Sequence, residues 1–200
     1  MKLPESFYLS DNVVEIARNL IGKYLFTRIN GIITGGYIVE TEAYNGVVDK
    51  ASHAYGNRLT PRTQTMFAQG GVAYVYLCYG IHEMLNVVTS VEGQPHAVLI
   101  RAVNPTEGLD EMLYRRNMAL VKPNITAGPG SVGKALGISR KLNGISFQSD
   151  ELWIEDQSLT FTDEQIVAVP RIGVAYAAED ALLPYRFYVK GNVYVSKPNR

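Results

Sequence analysis

Two short stretches of the chain carry residue types that can do chemistry. The first is Val39-Glu40-Thr41-Glu42-Ala43-Tyr44, at the end of an apolar run that reads as a strand. Alternate side chains of a strand share a face. Glu40, Glu42 and Tyr44 therefore point one way, and Val39, Thr41 and Ala43 the other. Either carboxylate can serve as a general base tuned by burial and neighbours. A solvated sheet edge would produce the same local pattern. The second stretch is Ala73-Tyr74-Val75-Tyr76-Leu77-Cys78-Tyr79-Gly80. Tyr74 and Tyr76 share one face of a strand, and Tyr79 falls at the turn that follows. Flat rings with hydroxyl handles suit base stacking, worth about 1–3 kcal/mol per base. Tyrosine also favours strands for packing reasons alone, and with 13 tyrosines no single one is diagnostic.

Other motifs fall short of the chemistry they suggest. Gly128-Pro129-Gly130-Ser131-Val132-Gly133-Lys134 matches the phosphate-loop spacing, but Ala135 stands where a magnesium-binding hydroxyl belongs, and Pro129 removes a cradling amide. A turn entering a helix, with Lys134 near a single phosphate, is the remaining functional use. His82-Glu83-Met84-Leu85-Asn86 has Asn86 where a zinc protease needs its second histidine. With three histidines and one cysteine scattered along the chain, no metal site is expected. Cys78 reads as a small core residue.

The elements that must position these residues follow from local patterning. Ser10-Asp11-Asn12 offers N-cap chemistry before helically spaced Val13, Ile16, Ala17, Leu20 and Ile21, with Gly22 closing the helix. Asn30-Gly31 joins strands 24–29 and 32–41 as a hairpin. Thr60-Pro61 reads as the N-cap and first residue of a short helix. Strands are expected over 72–77, 85–89 and 96–103, and a helix over 107–117 after Pro105. A short helix is expected over 131–137. Late strands are expected at 152–154, 166–169 and 186–189. The reading is α+β: a single domain over residues 1–200, with a curved, largely antiparallel β-sheet and flanking helices.

Composition sets outer limits. The 200 residues are 46% hydrophobic and 19% charged, enough apolar mass for a core and inconsistent with disorder. No apolar run approaches a membrane span. Residues 1–6 lack a signal-peptide core, and a lone cysteine cannot form an internal disulfide, so a cytoplasmic location is expected. The 19 basic and 19 acidic residues cancel, which by itself speaks against a nucleic-acid partner. The cancellation is uneven. Residues 151–170 hold 5 acidic and no basic residues, whereas 51–150 hold 9 basic and 6 acidic. An acidic block away from the functional face, with basic residues around the tyrosines, accommodates both facts.

Taken together, several stretches resemble the alkyladenine (3-methyladenine) DNA glycosylase family, bacterial members included. They are Val39 to Tyr44, His53-Ala54-Tyr55-Gly56, Thr60-Pro61-Arg62, Met66-Phe67, Tyr74 to Gly80, Leu85-Asn86-Val87, Val98 to Ala102, Gly128-Pro129 and Arg186 to Gly191. They keep order and near-constant spacing over nearly the whole chain. The resemblance implies an enzyme that flips damaged purines (3-methyladenine, hypoxanthine, ethenoadenine) out of duplex DNA and hydrolyses the N-glycosidic bond. It assigns Glu42 as the base that activates water, with Arg101 and the main-chain carbonyl of Ile172 holding that water. Tyr44, His53 and Tyr76 would sandwich the base, and Asn86 would crowd the exocyclic amine of guanine. Tyr79 would be the wedge that fills the vacated stack, with Ile81 beside it. Arg58, Thr60, Arg62, Lys134 and the Gly128–Gly133 turn are candidates for phosphate contact.

No lysine falls among the matched pocket residues, so Schiff-base lyase chemistry is not expected. The resemblance implies no metal or organic cofactor, a monomer acting on damaged double-stranded DNA without a membrane, and association with a bacterial nucleoid. A connection at Glu92-Gly93-Gln94-Pro95 and the residues Gly130-Ser131-Val132 depart from the family pattern. A non-catalytic nucleic-acid-binding module of the same fold, or a hydrolase of free nucleosides, would share parts of this pattern.

Overall fold

The structure is a computed structural model, and it describes residues 1–196. Eight strands form one sheet: β1 (Tyr24–Ile29), β2 (Ile32–Tyr44), β3 (Ala73–Cys78), β4 (His82–Thr89), β5 (His96–Glu107), β6 (Leu152–Glu155), β7 (Ile166–Val169) and β8 (Arg186–Val189). Their order is β3-β4-β5-β2-β1-β6, with β8 on β2 and β7 on β8. Every ladder among the described residues is antiparallel. Three α-helices accompany the sheet: α1 (Val13–Asn19), α2 (Leu109–Arg116) and α3 (Pro129–Ala135). The fold is therefore α+β with a mainly antiparallel sheet, as the sequence pattern implies.

The central strand is β2. Asn30 and Gly31 both take positive φ (53° and 81°), the condition for a tight hairpin turn, and pair Ile29 with Ile32. The strand then runs for 13 residues and pairs with β5 along one edge from Gly35 to Tyr44. Its other edge is divided: residues 32–37 pair with β1, and Glu40 to Glu42 pair with β8. The β2–β5 register slips at three places, two of which bracket Glu40. Glu40 is opposite Ala102 and Thr41 is opposite Ile100, so Arg101 is the extra residue of a bulge. Bulges bend a strand and re-aim a side chain. Here the bulge directs Arg101 toward the same side as Glu40 and Glu42.

The two faces of the sheet have different work. Ala43, Val75, Val87, Val98 and Ile100 join the main core with Ile16 and Ala17 of α1, Met112 of α2 and Val132 of α3. Thr41 donates to the Ala17 carbonyl (2.8 Å), fixing α1 against β2. Residues of opposite parity, Tyr44, Tyr74, Tyr76, Asn86, Ala97 and Leu99, line a cavity on the other face. Asn12 caps α1 by accepting from the Glu15 amide (3.1 Å), as its position implies.

Three local expectations are corrected. β5 continues past Val103 to Glu107, carrying Pro105 at a register shift opposite Gly36, so α2 begins at Leu109. A bulge tolerates a proline that an ordinary ladder position rejects. Thr60-Pro61 opens a turn rather than a helix, because the Thr60 and Thr63 side chains each accept from the other's amide (3.2 and 2.8 Å). The nearby helical segment is a 3-10 turn at Gln64–Phe67. The short helix begins at Pro129 and ends at Ala135.

The acidic block divides between two places: Glu151, Glu155 and Asp156 flank or belong to β6, whereas Asp163 and Glu164 lead into β7 beside β8. β6 is at the opposite end of the sheet order from β3 and β4, whose hairpin carries Tyr79. Asp150, Asp156 and Asp163 pair with Lys2, Lys23 and Arg18. No helix among the described residues is long and apolar enough to cross a membrane.

Gly36 shows how tightly β2 and β5 approach. A Cβ there would be 2.0 Å from the Asn104 carbonyl oxygen, a backbone atom that cannot step aside. Gly36→Ala is expected to cost about 2–3 kcal/mol or more, in the range of overpacked sites, read as a lower urea midpoint at unchanged m-value.

Candidate active site

The cavity on the open face of the sheet has a volume of about 540 Å³. Tyr74 and Tyr76 come from β3, Asn86 from β4, Leu99 and Arg101 from β5, and Tyr44 from the end of β2. The loop after β2 adds His53, and the segment after β7 adds Ile172 and Tyr176. A sheet whose alternate residues are aromatic on one side builds this wall without any special loop.

Glu42 is fully buried. Its Oε2 accepts from the Tyr44 hydroxyl (2.8 Å), and Oε1 accepts from the Ile172 amide (2.8 Å). Arg101 Nη1 is 3.3 Å from Oε1. Tyr44, Arg101 and Ile172 all line the cavity, so the carboxylate lies one layer beneath its floor. A carboxylate oxygen accepts two hydrogen bonds. Oε2 has one of these positions uncommitted among the described residues. Burial, and then the negative charge of Glu42, push the Tyr44 hydroxyl well above its ordinary range. Tyr44 therefore stays a neutral donor. The Ile172 N–H is the group in contact with Glu42, and the carbonyl that the family resemblance assigns to the water belongs to the same residue.

Glu40, one alternation back along β2, is also fully buried. Its Oε1 accepts from Arg101 Nε (3.1 Å) and from Arg186 Nε (2.8 Å), and its Oε2 from the Ser196 amide (2.7 Å). A third buried pair joins Arg171 to Asp49 through both guanidinium Nη atoms. Arg171 also donates to the Ala43 carbonyl (2.9 Å) and stacks on the Tyr44 ring, 4.8 Å from its centroid.

The aromatic wall is ordered by its own polar tips. His53 meets Tyr76 edge-on, centroids 4.7 Å apart, and Tyr74 stacks on Tyr76 at 5.4 Å. Arg62 Nη2 is 3.3 Å from His53 Nε2, and His53 Nδ1 is 3.0 Å from the Tyr74 hydroxyl. Arginine only donates, so Nε2 is the acceptor. Burial, and after it the charges of Arg62 and Arg58, lower the His53 pKa to about 4. The neutral ring therefore carries its proton on Nδ1 and donates to Tyr74. Asn86 is buried and donates to the Tyr74 carbonyl (3.2 Å), with its side chain on the cavity wall.

Tyr79 is at the tip of the β3–β4 hairpin, 90% exposed. The Ile81 amide closes the turn onto the Cys78 carbonyl (3.1 Å), and Tyr79 and Gly80 both have positive φ (51° and 72°). A bulky residue in that region is strained, and such strain concentrates at functional positions. Ile81 beside it is 73% exposed. Cys78 is on the cavity wall and half-buried, a correction to its reading as a core residue.

The basic candidates divide into two groups. Arg58, Thr60 and Arg62 line a second cavity of about 380 Å³, which shares His53, Arg62 and Tyr176 with the first. Lys134 is elsewhere, in a cleft of about 640 Å³ with Ile81, His82 and Arg116. His82 and Glu83 belong to a strand, so the spacing that looked like a zinc-helix motif has no helix beneath it.

Asp49, Arg171 and Tyr176 were not singled out by sequence reasoning. Asp49 and Arg171 are 122 residues apart, and no spacing rule connects them. Tyr176 is exposed at the mouth of both cavities, its hydroxyl donating to the Ala51 carbonyl (3.1 Å).

The low His53 pKa has a consequence for stability. The folded-state value lies below the unfolded one, so folding resists protonation of this ring. The stability of the parent relative to His53→Asn is expected to fall as pH drops from 6.5 to 4, by up to about 3 kcal/mol. Urea denaturation of both proteins across that window measures it.

A family model described as methylpurine-DNA glycosylase (MPG) matches residues 6–193. A Bacillus cereus (strain G9842) protein named "Putative 3-methyladenine DNA glycosylase" is 45% identical, covering 98% of this chain and 100% of its own. Proteins of the same name from Chlamydia felis (strain Fe/C-56) and Chlamydia pneumoniae are 46% and 47% identical, covering 98% and 92% of this chain and 98% and 93% of their own. With the family model spanning all but the ends of the chain and relatives this similar along their whole lengths, the protein belongs to the methylpurine-DNA glycosylase family.

Proposed function

We propose that the protein is a monofunctional DNA glycosylase that turns a damaged purine out of the duplex, seats it in the aromatic cavity and hydrolyses its N-glycosidic bond. The product is an abasic site. The observation that carries this reading is the position of Glu42: a buried carboxylate gripped by Tyr44, Arg101 and Ile172, the residues that floor the cavity.

The chemistry runs as follows. Breaking a glycosidic bond builds positive charge on the sugar. Glu42 takes a proton from the attacking water and opposes that charge. Its uncommitted Oε2 position is the acceptor for that proton. The attacking water comes to Oε2 from the cavity side. Tyr44 stands on one side of the base, with His53 and Tyr76 on the other. Alkylation leaves a purine cationic, and ring faces attract cations. A protonated imidazole would repel such a base, and His53 is neutral above about pH 4. Neutral lesions of the hypoxanthine or ethenoadenine type are read by hydrogen bonds and leaving-group protonation instead, and Asn86 crowds the exocyclic amine of guanine.

Tyr79 fills the gap left in the stack, with Ile81 at its flank. Such wedges offset part of an unstacking cost of a few kcal/mol. Arg58, Thr60 and Arg62 on one side, and Lys134 on the other, take the backbone phosphates.

The pairing of Glu42 with Arg101 also suits a binding module that has lost catalysis, and one substitution separates the two. Glu42→Gln is expected to bind a duplex carrying 3-methyladenine as the parent does and to lower free-base release by roughly 10³-fold or more. Undiminished release by the variant would remove Glu42 from the mechanism. Absence of release by both proteins would favour the binding module, and release from free nucleosides alone a nucleoside hydrolase. For the wedge, Tyr79→Ser is expected to weaken affinity for damaged duplex by roughly 10- to 100-fold. Equal affinities in a fluorescence titration would take that role from Tyr79.

A further inference from the structure

We propose that Glu40 is a positioning residue for the reaction: it holds the Arg101 guanidinium away from a close pair with Glu42, so that Glu42 stays available to the attacking water. The inference rests on Glu42 being the base.

The geometry is specific about which carboxylate has the first claim on Arg101. The Nε of Arg101 is 3.1 Å from Glu40, whereas its Nη1 is 3.3 Å from Glu42. Its Nη2 donates to the Ser196 hydroxyl at 3.3 Å, and the Ser196 amide donates back to Glu40 at 2.7 Å. Three strands converge on this carboxylate. β2 supplies Glu40, β5 supplies Arg101 at its bulge, and β8 supplies Arg186, with Tyr188 directly opposite Glu40.

Arginine pairs with a carboxylate best in a parallel, two-toothed arrangement. Were Arg101 to give both teeth to Glu42, Oε1 and Oε2 would both be occupied by a cation. A carboxylate so engaged is a poor proton acceptor. The structure avoids this by placing a second anion one alternation back on the same strand. The bulge at Arg101 sets the arginine between the two. Glu42 keeps Tyr44 on Oε2 and the Ile172 amide on Oε1, both neutral donors. Arg101 reaches it with one nitrogen.

The two carboxylates thus have separate work on one strand. Glu42 faces the cavity floor and meets the reacting water. Among the described residues Glu40 has no hydrogen bond to the aromatic wall, and its link to the cavity runs through Arg101.

The test is the single-turnover rate of base release from a 3-methyladenine duplex across pH, for the parent, Glu40→Gln, Glu40→Asp, Arg101→Met and the Glu40→Gln/Arg101→Met pair. Among the described residues, the charged and titratable groups around the two carboxylates are Arg101, Arg186, Arg171, Tyr44, Tyr176 and Tyr188. All remain in the Glu40→Gln protein. Glu40→Gln is expected to lose roughly tenfold to a hundredfold in rate, the effect of a misplaced catalytic neighbour. Removing one anion and turning Arg101 fully onto Glu42 favours the ionised base, so the acid limb of the profile moves to lower pH. Glu40→Asp keeps the charge and is expected to recover part of the rate, with the limb near its parental position. In the Arg101→Met background, Glu40→Gln is expected to add no further loss.

A parental rate and an unmoved acid limb in a folded Glu40→Gln protein would overturn the inference. Losses that multiply in the double variant would do the same, since Glu40 would then act independently of Arg101. If the glutamine variant does not fold, Glu40→Asp decides: a slower rate in a folded protein supports the role, and a parental rate removes it. Glu42→Gln run in parallel separates the two levels. If it is inactive while Glu40→Gln is parental, only this inference fails. If it retains full release, the base assignment and this inference fail together.

Discussion

The structure depends on a balance of charge inside the sheet. Glu40, Glu42 and Asp49 are buried, and so are Arg101, Arg171 and Arg186. A buried charge without a partner costs several kcal/mol, and removing one member of such a pair is among the most damaging changes a protein can suffer. Among the described residues these are three anions and three guanidinium groups. The pairs also cross-link elements far apart in sequence: Arg101 joins β5 to β2, Arg186 joins β8 to β2, and Arg171 joins the segment after β7 to the loop after β2. A sheet with well-packed apolar residues of similar volume in their places could match that stability, since such replacements are often neutral. What it would lose is a carboxylate fixed behind the cavity floor.

The same pairs decide how the cavity is shaped. Arg171 stacks against Tyr44 and also donates to Asp49 and the Ala43 carbonyl, so the ring is backed by a planar cation that cannot swing. The next residue, Ile172, places its amide on Glu42. One ion pair therefore sets a wall of the cavity and a donor to the carboxylate together. On the far wall, Arg62 lies over Tyr76 at 4.9 Å while it donates to His53. Each wall has one guanidinium, but Arg171 is buried and Arg62 is exposed.

Much of this was legible in the sequence, for physical reasons that vary by residue. Asn30-Gly31 announced the β1–β2 turn because few dipeptides accept two positive φ angles. The alternation in β2 and β3 put Glu42, Tyr44, Tyr74 and Tyr76 on one face, because the strand period is fixed at two. Their assembly around one cavity rests on long-range pairing, which the family resemblance carried and local patterning did not. The bulge at Arg101 left no local signal, since it comes from how β2 and β5 register against each other. Asp49–Arg171 was hidden by separation, and Pro105 concealed the end of β5 because proline ordinarily ends a ladder. Thr60-Pro61 misled because a threonine before proline caps a helix or closes a turn equally well. The later hydroxyl of Thr63 decides it.

The ion pairs near β6 and before β7 give the molecule's electrical neutrality another meaning. Lys2, Arg18 and Lys23 are answered by aspartates there, and the buried guanidinium groups are answered within the sheet. Arg58, Arg62 and Lys134 form no ion pair among the described residues, and all three border clefts near the Tyr79 hairpin. Charge is felt over about 8 Å at physiological salt. A polyanion beside this protein therefore does not sense a neutral sphere; it senses whichever side is turned toward it. On the function proposed above, Arg58, Arg62 and Lys134 would bias how the molecule meets a duplex before any base is touched.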